Sequence, residues 1–380
     1  MAFANKLFAE LRGDRTIWMT TIMLALVSFL AVASASGSLA WKMEEGNTTS
    51  IILKHLAMLS FGLLVVYIFH LMHYMRYRML SKFMLYLAVP LLGVTLLFGT
   101  NLNEAHRWLT IGGVSFQTSD FAKISLIMYV SNALTAKQDY IKDFNQAFVP
   151  IIVPVLVICG LIAPANLSTA ALLFLTCIAL MFIGRVATKY ILLLFFLGIV
   201  GFALLIAIGK FFPGHVRYET WINRITDFLG NEDGGYQVQQ AKIAIARGGW
   251  FGVGPGNSIC RNFMPYAYAD FIFAIICEEW GLLGGAVVLF LYMLLFFRTV
   301  SLVTKSPKAF GALIAIGLSL SMVLTALANM AVAVHLVPVT GLTLPMISMG
   351  GTSLLFSSIA LGIILSVSKY IEDVTEIPTE

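Results

Sequence analysis

The chain has 380 residues, of which 59% are hydrophobic and only 11% are charged. Soluble domains carry about 25% charged residues, so this composition and the mean hydropathy of +0.90 exclude a soluble globular protein. The net charge of +5 at pH 7 is carried by segments between apolar runs, so it bears on membrane topology, and we expect no nucleic-acid binding. The four cysteines show no C-x-x-C spacing, which argues against a thiolate metal site.

Ten apolar runs have about the length that a helix needs to cross a bilayer, roughly 20 residues. They lie at about 17–36, 52–72, 84–99, 120–135, 147–164, 169–184, 190–209, 271–297, 309–335 and 350–368. No obvious small-residue cleavage site follows the first run, so we expect it to be a retained span. The pattern predicts an all-α, polytopic membrane protein with about ten transmembrane helices, forming a single integral membrane domain over residues 1–380.

Lysine and arginine are distributed unevenly among the connecting segments. The N-terminal segment and the second, fourth, sixth and eighth loops hold most of them, whereas the alternate short loops hold few. Because positively charged short loops stay in the cytoplasm, we predict that both termini are cytoplasmic. The third loop, 99–119, and the long seventh loop, about 210–269, then face the outside.

The seventh loop is long, basic and rich in glycine. A loop of this length is usually functional or disordered. The apolar stripe Val238, Ala241 and Ile245 predicts an amphipathic helix and argues against disorder. The glycines from 248 to 256 then indicate tight turns or close approach to a ligand. Six basic residues in the loop indicate an anionic partner outside the membrane; they are Lys210, Arg217, Arg224, Lys242, Arg247 and Arg261.

Three acidic residues mark the eighth apolar run: Asp270 stands at its mouth, and Glu278 and Glu279 lie inside it. Ionisable side chains in a membrane helix are costly and usually face a cavity or a partner, so these are the strongest candidates for a functional site. Two plainer interpretations remain open, with Asp270 as a helix N-cap and the glutamates as a hydrogen-bonded structural pair. Gly281 and Gly285 form a G-x-x-x-G pair that permits close helix packing.

Polar residues also mark the other predicted outward segments. In 99–119, apolar and polar residues alternate, as in a segment at the membrane interface. Asp120 and Lys123 follow at a spacing of i and i+3, which lets them pair on one helix face. The ninth loop, 336–353, contains prolines and a Gly-Gly pair, and such backbone is tolerated at membrane depth only where it lines a cavity or is buried in protein. Asn329, in the ninth run, either faces such a cavity or packs in the core.

Five stretches together resemble the SEDS family of shape, elongation, division and sporulation proteins, which includes FtsW and RodA. They are HRWLTIGGVSFQTSDFAK (106–123), NLSTA (166–170), YQVQQAKIAIARGGWFGVGPGNS (236–258), ADFIFAIICEEWGLLG (269–284) and PVTGLTLPMISMGGTS (338–353). The run at 254–258 looks more like the division members than the elongation members. The chain departs from the family pattern at Asp120, where a glutamate is usual, at Asn166, where an aspartate is usual, and at Tyr266, where a glutamate is usual.

The resemblance implies a peptidoglycan glycosyltransferase that polymerises lipid II into glycan strands at the outer face of the bacterial cytoplasmic membrane. It implies Asp270 as the catalytic residue. It also implies a substrate-binding set of polar residues on outward segments, namely Arg107, Gln117, Asp120, Lys123, Arg217, Arg224, Lys242, Arg247, Glu278 and Ser348. A divalent cation, Mg²⁺ or Mn²⁺, would bind at Asp270 if the reaction uses one.

The resemblance further implies partners and a location. The expected partners are a class B penicillin-binding protein that carries the transpeptidase and other divisome proteins at the division septum. Small residues in the eighth and ninth runs, such as Gly281, Gly285, Gly311 and Gly317, would let the partner's helix dock. The alternatives are an elongation-type polymerase, a lipid II flippase and a scaffold that recruits a synthase. Unusual residues cluster on outward segments, which favours the enzyme over the flippase.

Overall fold

The computed structural model describes residues 12–43, 48–102, 105–111, 114–211, 218–230, 235–264, 267–306 and 308–375. The chain divides into two compact units. The first unit comprises Met1–His73, Thr226–Lys305 and Met322–Glu380, and the second comprises Tyr74–Ile225 and Ser306–Ser321. The single domain expected over residues 1–380 stays a prediction.

The described chain is mainly helical, as the apolar runs predict. The helices are α1 (Arg15–Met43), α2 (Thr48–Leu71), α3 (Tyr74–Phe98), α4 (Thr118–Ala136), α5 (Val149–Ile162), α6 (Leu167–Ile183), α7 (Thr188–Phe211), α8 (Tyr218–Gly230), α9 (Tyr236–Gly248), α10 (Ile272–Val303), α11 (Ala309–Ala333) and α12 (Gly351–Thr375). Short helical turns lie at Gln138–Tyr140, Phe144–Phe148 and Cys260–Asn262. The strands are β1 (Thr100–Leu102), β2 (Ala105–Ile111) and β3 (Val114–Gln117).

A helix lies at each of the ten predicted runs, and the protein is a multi-pass membrane protein. Among the described residues, seven helices are long and apolar enough to cross a bilayer, and the apolar stretches Leu167–Ile183 of α6 and Thr188–Leu204 of α7 are shorter. The remaining run corresponds to α4, which carries Asp120 and Lys123 near its start. The number of ten spans and the cytoplasmic location of the termini stay predictions.

The third predicted loop is a small β-sheet, which the all-α prediction did not include. The three strands pair antiparallel in the order β1-β2-β3. Trp108 lies opposite Gln117, and Leu109 lies opposite Phe116. The alternation of apolar and polar residues noted in the sequence is therefore the period-two pattern of strands.

In the first unit, α2 and α12 approach closely because each presents a glycine. A Cβ atom on Gly62 would come within 2.6 Å of Leu354 Cδ2, and one on Gly362 would come within 2.8 Å of the Val66 carbonyl oxygen. Side chains at these positions would push the helices apart. The packing is that of small residues at membrane helix interfaces.

Asp14 joins three helix ends of the first unit. Its Oδ1 accepts a hydrogen bond from Ile17 N at 3.0 Å, which caps α1. Its Oδ2 accepts from Arg298 Nε at 2.8 Å near the end of α10, and the Arg298 Nη2 atom also lies at 2.8 Å. The Asp14 amide donates to Ser368 Oγ on α12 at 3.0 Å. A buried carboxylate is stable here because two guanidinium nitrogens contact its Oδ2 and a backbone amide donates to its Oδ1.

In the second unit, Asn166 caps α6 as its sequence position suggests. Its side-chain oxygen accepts a hydrogen bond from Thr169 N at 3.2 Å. On α4, Asn132 links to α3, since its Oδ1 accepts from Arg78 Nε at 3.1 Å and its Nδ2 donates to Ser81 Oγ at 2.9 Å. Polar side chains inside this unit are thus used to join helices.

The long seventh loop contains ordered helices where the structure describes it. The amphipathic stripe predicted around 238–245 lies on α9, where Val238, Ala241 and Ala244 are buried. Ile245, the predicted third member of the stripe, is only half-buried. The predicted amphipathic helix is therefore confirmed, with Ala244 in place of Ile245 on its packed face.

Candidate functional site

Asp270 lies in a turn that precedes α10, and it is not the residue that caps this helix. The helix begins at Ile272, its N-cap is Phe271, and no side chain bonds at that cap position. Asp270 itself is half-buried. The plainer interpretation of Asp270 as an N-cap is therefore wrong.

Ser348, an expected substrate ligand, is buried and its hydroxyl is occupied by backbone. Its Oγ donates to the Ala269 carbonyl at 2.6 Å, next to Asp270. It also accepts from the Leu344 amide at 2.8 Å. This geometry gives Ser348 a role in holding the turn before α10, and its expected contact with substrate stays a prediction.

Glu278, a second expected ligand, has 0% of its surface exposed. Its Oε1 accepts hydrogen bonds from Arg247 Nη1 and Ile259 N, both at 3.1 Å, and from Cys260 N at 3.5 Å. Its Oε2 accepts from the Ser258 hydroxyl. Both oxygens are thus occupied by the loop that precedes α10, as in the structural interpretation. Arg247 is partly committed to this pair, although 37% of its side chain remains exposed.

Glu279 is equally buried but less completely bonded. Its Oε1 accepts from the Ser34 hydroxyl on α1 and from Ser258 N at 3.4 Å. Its Oε2 is buried and receives no hydrogen bond from the described residues. Arg261 Nη1 donates to the Ser34 carbonyl, so the serine joins this arginine and Glu279 in one network. Ser34 carries no signal in the sequence that would have identified it. Ser258 ends the family stretch 236–258, but its role was not predicted because its partner Glu278 lies far along the chain.

The glycine-rich loop is bonded directly to a kink in α10. Gly281 has φ 69° and ψ −171°, which breaks the helix. The break frees the preceding carbonyls, and Val253 N and Gly254 N donate to the Glu278 and Glu279 carbonyls, each at 3.0 Å. The positive φ of the glycines from 249 to 256 fits the tight turns that the sequence indicated. Their close packing on the backbone of α10 was not among the two alternatives.

The glycines expected to dock a partner helix are also used within the chain. Gly281, Gly285, Gly311 and Gly317 are all buried. A Cβ on Gly285 would come within 2.7 Å of the Cys277 sulfur. These glycines are therefore buried within the chain, and docking of a partner's helix at them stays a prediction.

Three more basic residues of the seventh loop, Lys242, Arg224 and Arg217, belong to the expected substrate-binding set. Lys242 lies on α9 and Arg224 on α8, and both are partly exposed. Lys242 lies close enough to His335 to lower the pKa of that histidine, after burial as the larger cause. Arg217 lies outside the described residues. Lys242 and Arg224 keep exposed surface for an anionic ligand.

The second unit holds the other four expected ligands. Lys123 Nζ lies 3.0 Å from Asp120 Oδ1, which confirms the pairing predicted from their spacing. Asp120 Oδ2 is buried and receives no hydrogen bond from the described residues. Gln117 ends β3 and donates to Ser119 Oγ at 3.1 Å. Arg107 lies on β2, and its side chain is outside the described part of the structure.

A divalent cation would have few protein ligands at Asp270. The described residues contain no group of three or more His, Cys, Asp or Glu side chains that could hold a metal. Mg²⁺ is often bound by one or two carboxylates together with substrate phosphates and water. The residues therefore fit only a cation that arrives with a phosphate-bearing ligand.

Comparison with known proteins identifies relatives over almost the whole chain. The FtsW/RodA/SpoVE family model, described as cell cycle protein, matches residues 14–373. Stage V sporulation protein E of Bacillus subtilis (strain 168) is 30% identical over 366 residues, which cover 94% of this chain and 97% of that protein. A probable peptidoglycan glycosyltransferase FtsW of Aliivibrio salmonicida (strain LFI1238) is 31% identical over 364 residues, covering 93% of this chain and 88% of that protein.

The fold is shared with a solved structure. A chain of a peptidoglycan synthase complex, studied for the structural coordination of polymerization and crosslinking, matches with a TM-score of 0.75 at 23% identity. The match covers 94% of this chain and 98% of that chain. The helices and the loop joined to α10 thus define a multi-pass membrane protein of the SEDS type. Within that class, the chain belongs to the FtsW/RodA/SpoVE family of cell cycle proteins, which confirms the resemblance drawn from its motifs.

Proposed function

We propose that this protein is a peptidoglycan glycosyltransferase that polymerises lipid II into glycan strands. The observation that carries the proposal is the placement of Asp270. It is a half-buried carboxylate on a turn at the mouth of a membrane helix, outside the N-cap position. Relatives similar over nearly the whole chain are named as probable peptidoglycan glycosyltransferases, which supports the same reaction here.

In the proposed reaction, Asp270 is the general base. An acceptor sugar hydroxyl attacks the anomeric carbon of a lipid-linked donor, and the new C–O bond forms as the bond to pyrophosphate breaks. The hydroxyl proton passes to the Asp270 carboxylate, and the lipid pyrophosphate leaves with the bonding electrons. General-base assistance of this kind contributes about 10²–10⁴ in rate.

The leaving pyrophosphate needs positive charge, and basic side chains supply it. Charge-assisted hydrogen bonds from arginine and lysine to phosphate are among the strongest in proteins. Lys242 and the exposed part of Arg247 are the described candidates in the first unit, which also holds Asp270. A Mg²⁺ or Mn²⁺ ion carried with the pyrophosphate would add to this charge, with Asp270 as its protein ligand. Loss of polymerisation in EDTA, restored by added Mn²⁺, would support that ion.

The direct test is polymerisation of purified lipid II by wild type and by Asp270→Asn. We expect strand formation by the wild type and a loss of about 10²–10⁴ in rate for the variant, with an unchanged melting temperature. Asp139→Asn is the matched control, because Asp139 is exposed on a short helical turn and should keep full activity. Activity of Asp270→Asn within a factor of a few of wild type would remove this residue from the mechanism. Lipid II transport without polymerisation would favour the flippase.

We also propose a partner and a place of action. A glycan strand must be cross-linked, and the structural relative comes from a complex that joins polymerization to crosslinking, which supports a class B penicillin-binding protein as the partner. The similarity to FtsW supports action with other divisome proteins at the division septum. Co-purification from native membranes tests the partner, and a fluorescent fusion that fails to reach the septum would contradict the location.

A further inference from the structure

The backbone before Asp270 is bound to a second loop of the first unit. The Tyr268 carbonyl accepts a hydrogen bond from Met349 N at 3.1 Å. The next carbonyl, of Ala269, accepts from Ser348 Oγ at 2.6 Å. Two successive peptide units are thus fixed by two successive residues of the loop between α11 and α12. These bonds hold a turn that lies outside regular secondary structure.

Asn329 on α11 binds the third carbonyl in the series. Its Nδ2 donates to the Asp270 carbonyl at 2.7 Å and to the Leu342 carbonyl at 2.6 Å. Because both partners are carbonyl oxygens, only the amide nitrogen can make these bonds, which settles the orientation of the side chain. Both amide hydrogens are therefore used, and they bridge the turn that carries Asp270 to the loop that holds it.

The holding loop is itself anchored in the core of the first unit. The Ile347 carbonyl accepts from Ser28 Oγ on α1 at 2.8 Å. The Pro345 carbonyl accepts from the Tyr292 hydroxyl on α10. Residues 344–348 are all buried. Displacement of this loop would break bonds to two helices, so it is a rigid support.

We propose that Asn329 and Ser348 are positioning residues that fix Asp270 in its catalytic orientation, an inference that rests on the proposed function. Binding the carbonyls of residues 268 to 270 fixes the backbone and therefore the direction in which the Asp270 side chain leaves it. Misplacing a catalytic group by about 1 Å costs roughly 10²-fold in rate. An amide that supplies two donors, and a hydroxyl that supplies one, are the groups needed for this task.

The burial of Asn329 supports a role beyond packing. Only 1% of its surface is exposed, and its Oδ1 receives no hydrogen bond from the described residues. A buried acceptor without a donor costs free energy, which an apolar side chain of similar size would avoid. An apolar replacement would lose the two hydrogen-bond donors of the amide, which explains why an asparagine is needed here.

The test compares Asn329→Leu and Ser348→Ala with wild type, Asp270→Asn and a matched control, using the full chain alone and in complex with its transpeptidase. Asn132→Leu is the control, because it removes an amide with two side-chain bonds between α3 and α4. We expect kcat for Asn329→Leu to fall roughly 10²-fold with KM for lipid II unchanged. Ser348→Ala should lower kcat less, since it leaves in place the bond from Asn329 Nδ2 to the carbonyl of Asp270 itself. Asn132→Leu should keep the wild-type kcat, although its melting temperature should be similar to that of Asn329→Leu.

A second measurement does not depend on polymerisation. Amide hydrogen exchange over 267–275 should become faster in Asn329→Leu and stay at the wild-type rate in Asn132→Leu. Unchanged exchange over 267–275 would overturn the proposal, whether or not the wild type polymerises lipid II. If the wild type has no activity, the proposed function fails, but the exchange measurement still tests the positioning role. A rise in KM with intact kcat would make Ser348 or Asn329 a substrate ligand and would also overturn it. An equal loss of kcat in Asn132→Leu would show that general destabilisation causes the loss, and it would also overturn the proposal.

Discussion

Three carboxylates near the start of α10 have different surroundings, and these indicate different tasks. Glu278 is buried with both oxygens bonded to the preceding loop and to Arg247. Glu279 is buried with one oxygen bonded. Asp270 is half-buried on a turn. A carboxylate with both oxygens bonded within the chain stabilises the fold, whereas a catalytic base must lie where substrate can reach it, which the half-buried position of Asp270 allows.

We expect Glu278→Gln to lower stability far more than Glu279→Gln does. Removing one partner of a buried ion pair leaves the other uncompensated and typically costs about 3–5 kcal/mol. Because Arg247 is partly exposed, the lower end of that range is expected here. Glu279→Gln keeps its bonded oxygen and removes a buried charge, so it should cost less. Thermal unfolding of both variants in the same detergent measures the difference. Equal melting temperatures would contradict the structural role of Glu278.

The contacts of individual side chains were predictable from the sequence only where the partner is close along the chain. The Asp120–Lys123 pair and the Asn166 cap follow from spacings of three residues, and both are present. The partners of Glu278 lie 18 to 31 residues away, and no helical or strand period connects them. Their contacts depend on how the glycine-rich loop folds back, which local pattern cannot supply.

The junction of the glycine-rich loop with α10 is the element that shapes the candidate site. A Cβ on Gly252 would lie 2.1 Å from the Glu279 carbonyl oxygen, and one on Gly281 would lie 2.3 Å from the Trp250 carbonyl oxygen. Both glycines also have positive φ, at 82° and 69°. Loop and helix are therefore in backbone contact, and only glycine permits this approach.

We expect Gly252→Ala and Gly281→Ala to destabilise the protein more than Gly256→Ala does. Gly256 has the same φ of 82° as Gly252, but a Cβ there meets no described atom within 4 Å. Its substitution therefore tests backbone strain alone, which costs about 1–2 kcal/mol for a left-handed residue. The other two variants add a clash with backbone that cannot move aside. Equal melting temperatures for all three would show that the close approach is unimportant.

At the level of elements, hydrophobic runs predicted the helices well because length and composition alone define a span. The sheet over Thr100–Gln117 was missed because its strands are short and lie beside long apolar runs. The break at Gly281 was not predicted because a glycine in an apolar run is equally compatible with close packing of an unbroken helix. In both cases the backbone conformation depends on partners outside the local pattern.

For the whole molecule, the order of motifs along the chain carried more information than any single span. The family match over residues 14–373 confirms that order. The division into two units was not predictable, since each unit is built from segments separated in the sequence. Nothing in local periodicity indicates which distant helices pack together.

We predict that the segment between α7 and α10 faces the outside and that the short turns between α4 and α5 face the cytoplasm. Single cysteines at Phe251 and Lys142 test this, because both residues are exposed, Phe251 to 83%. The four native cysteines are buried and should react little. Cys260 lies in the outward segment, but burial, followed by the Glu278 carboxylate, raises its pKa to about 11, so little thiolate is present at pH 7.5.

A membrane-impermeant maleimide should therefore label Phe251→Cys in intact cells and label Lys142→Cys only after permeabilisation. The positive-inside rule gives this result because Lys137 and Lys142 lie in a short loop, where lysines retain the segment in the cytoplasm. The outward placement of Phe251 also follows from the proposed reaction, which needs Asp270 on the side where glycan strands are built. Labelling of Lys142→Cys from outside intact cells would invert the topology and would place Asp270 on the wrong side for polymerisation.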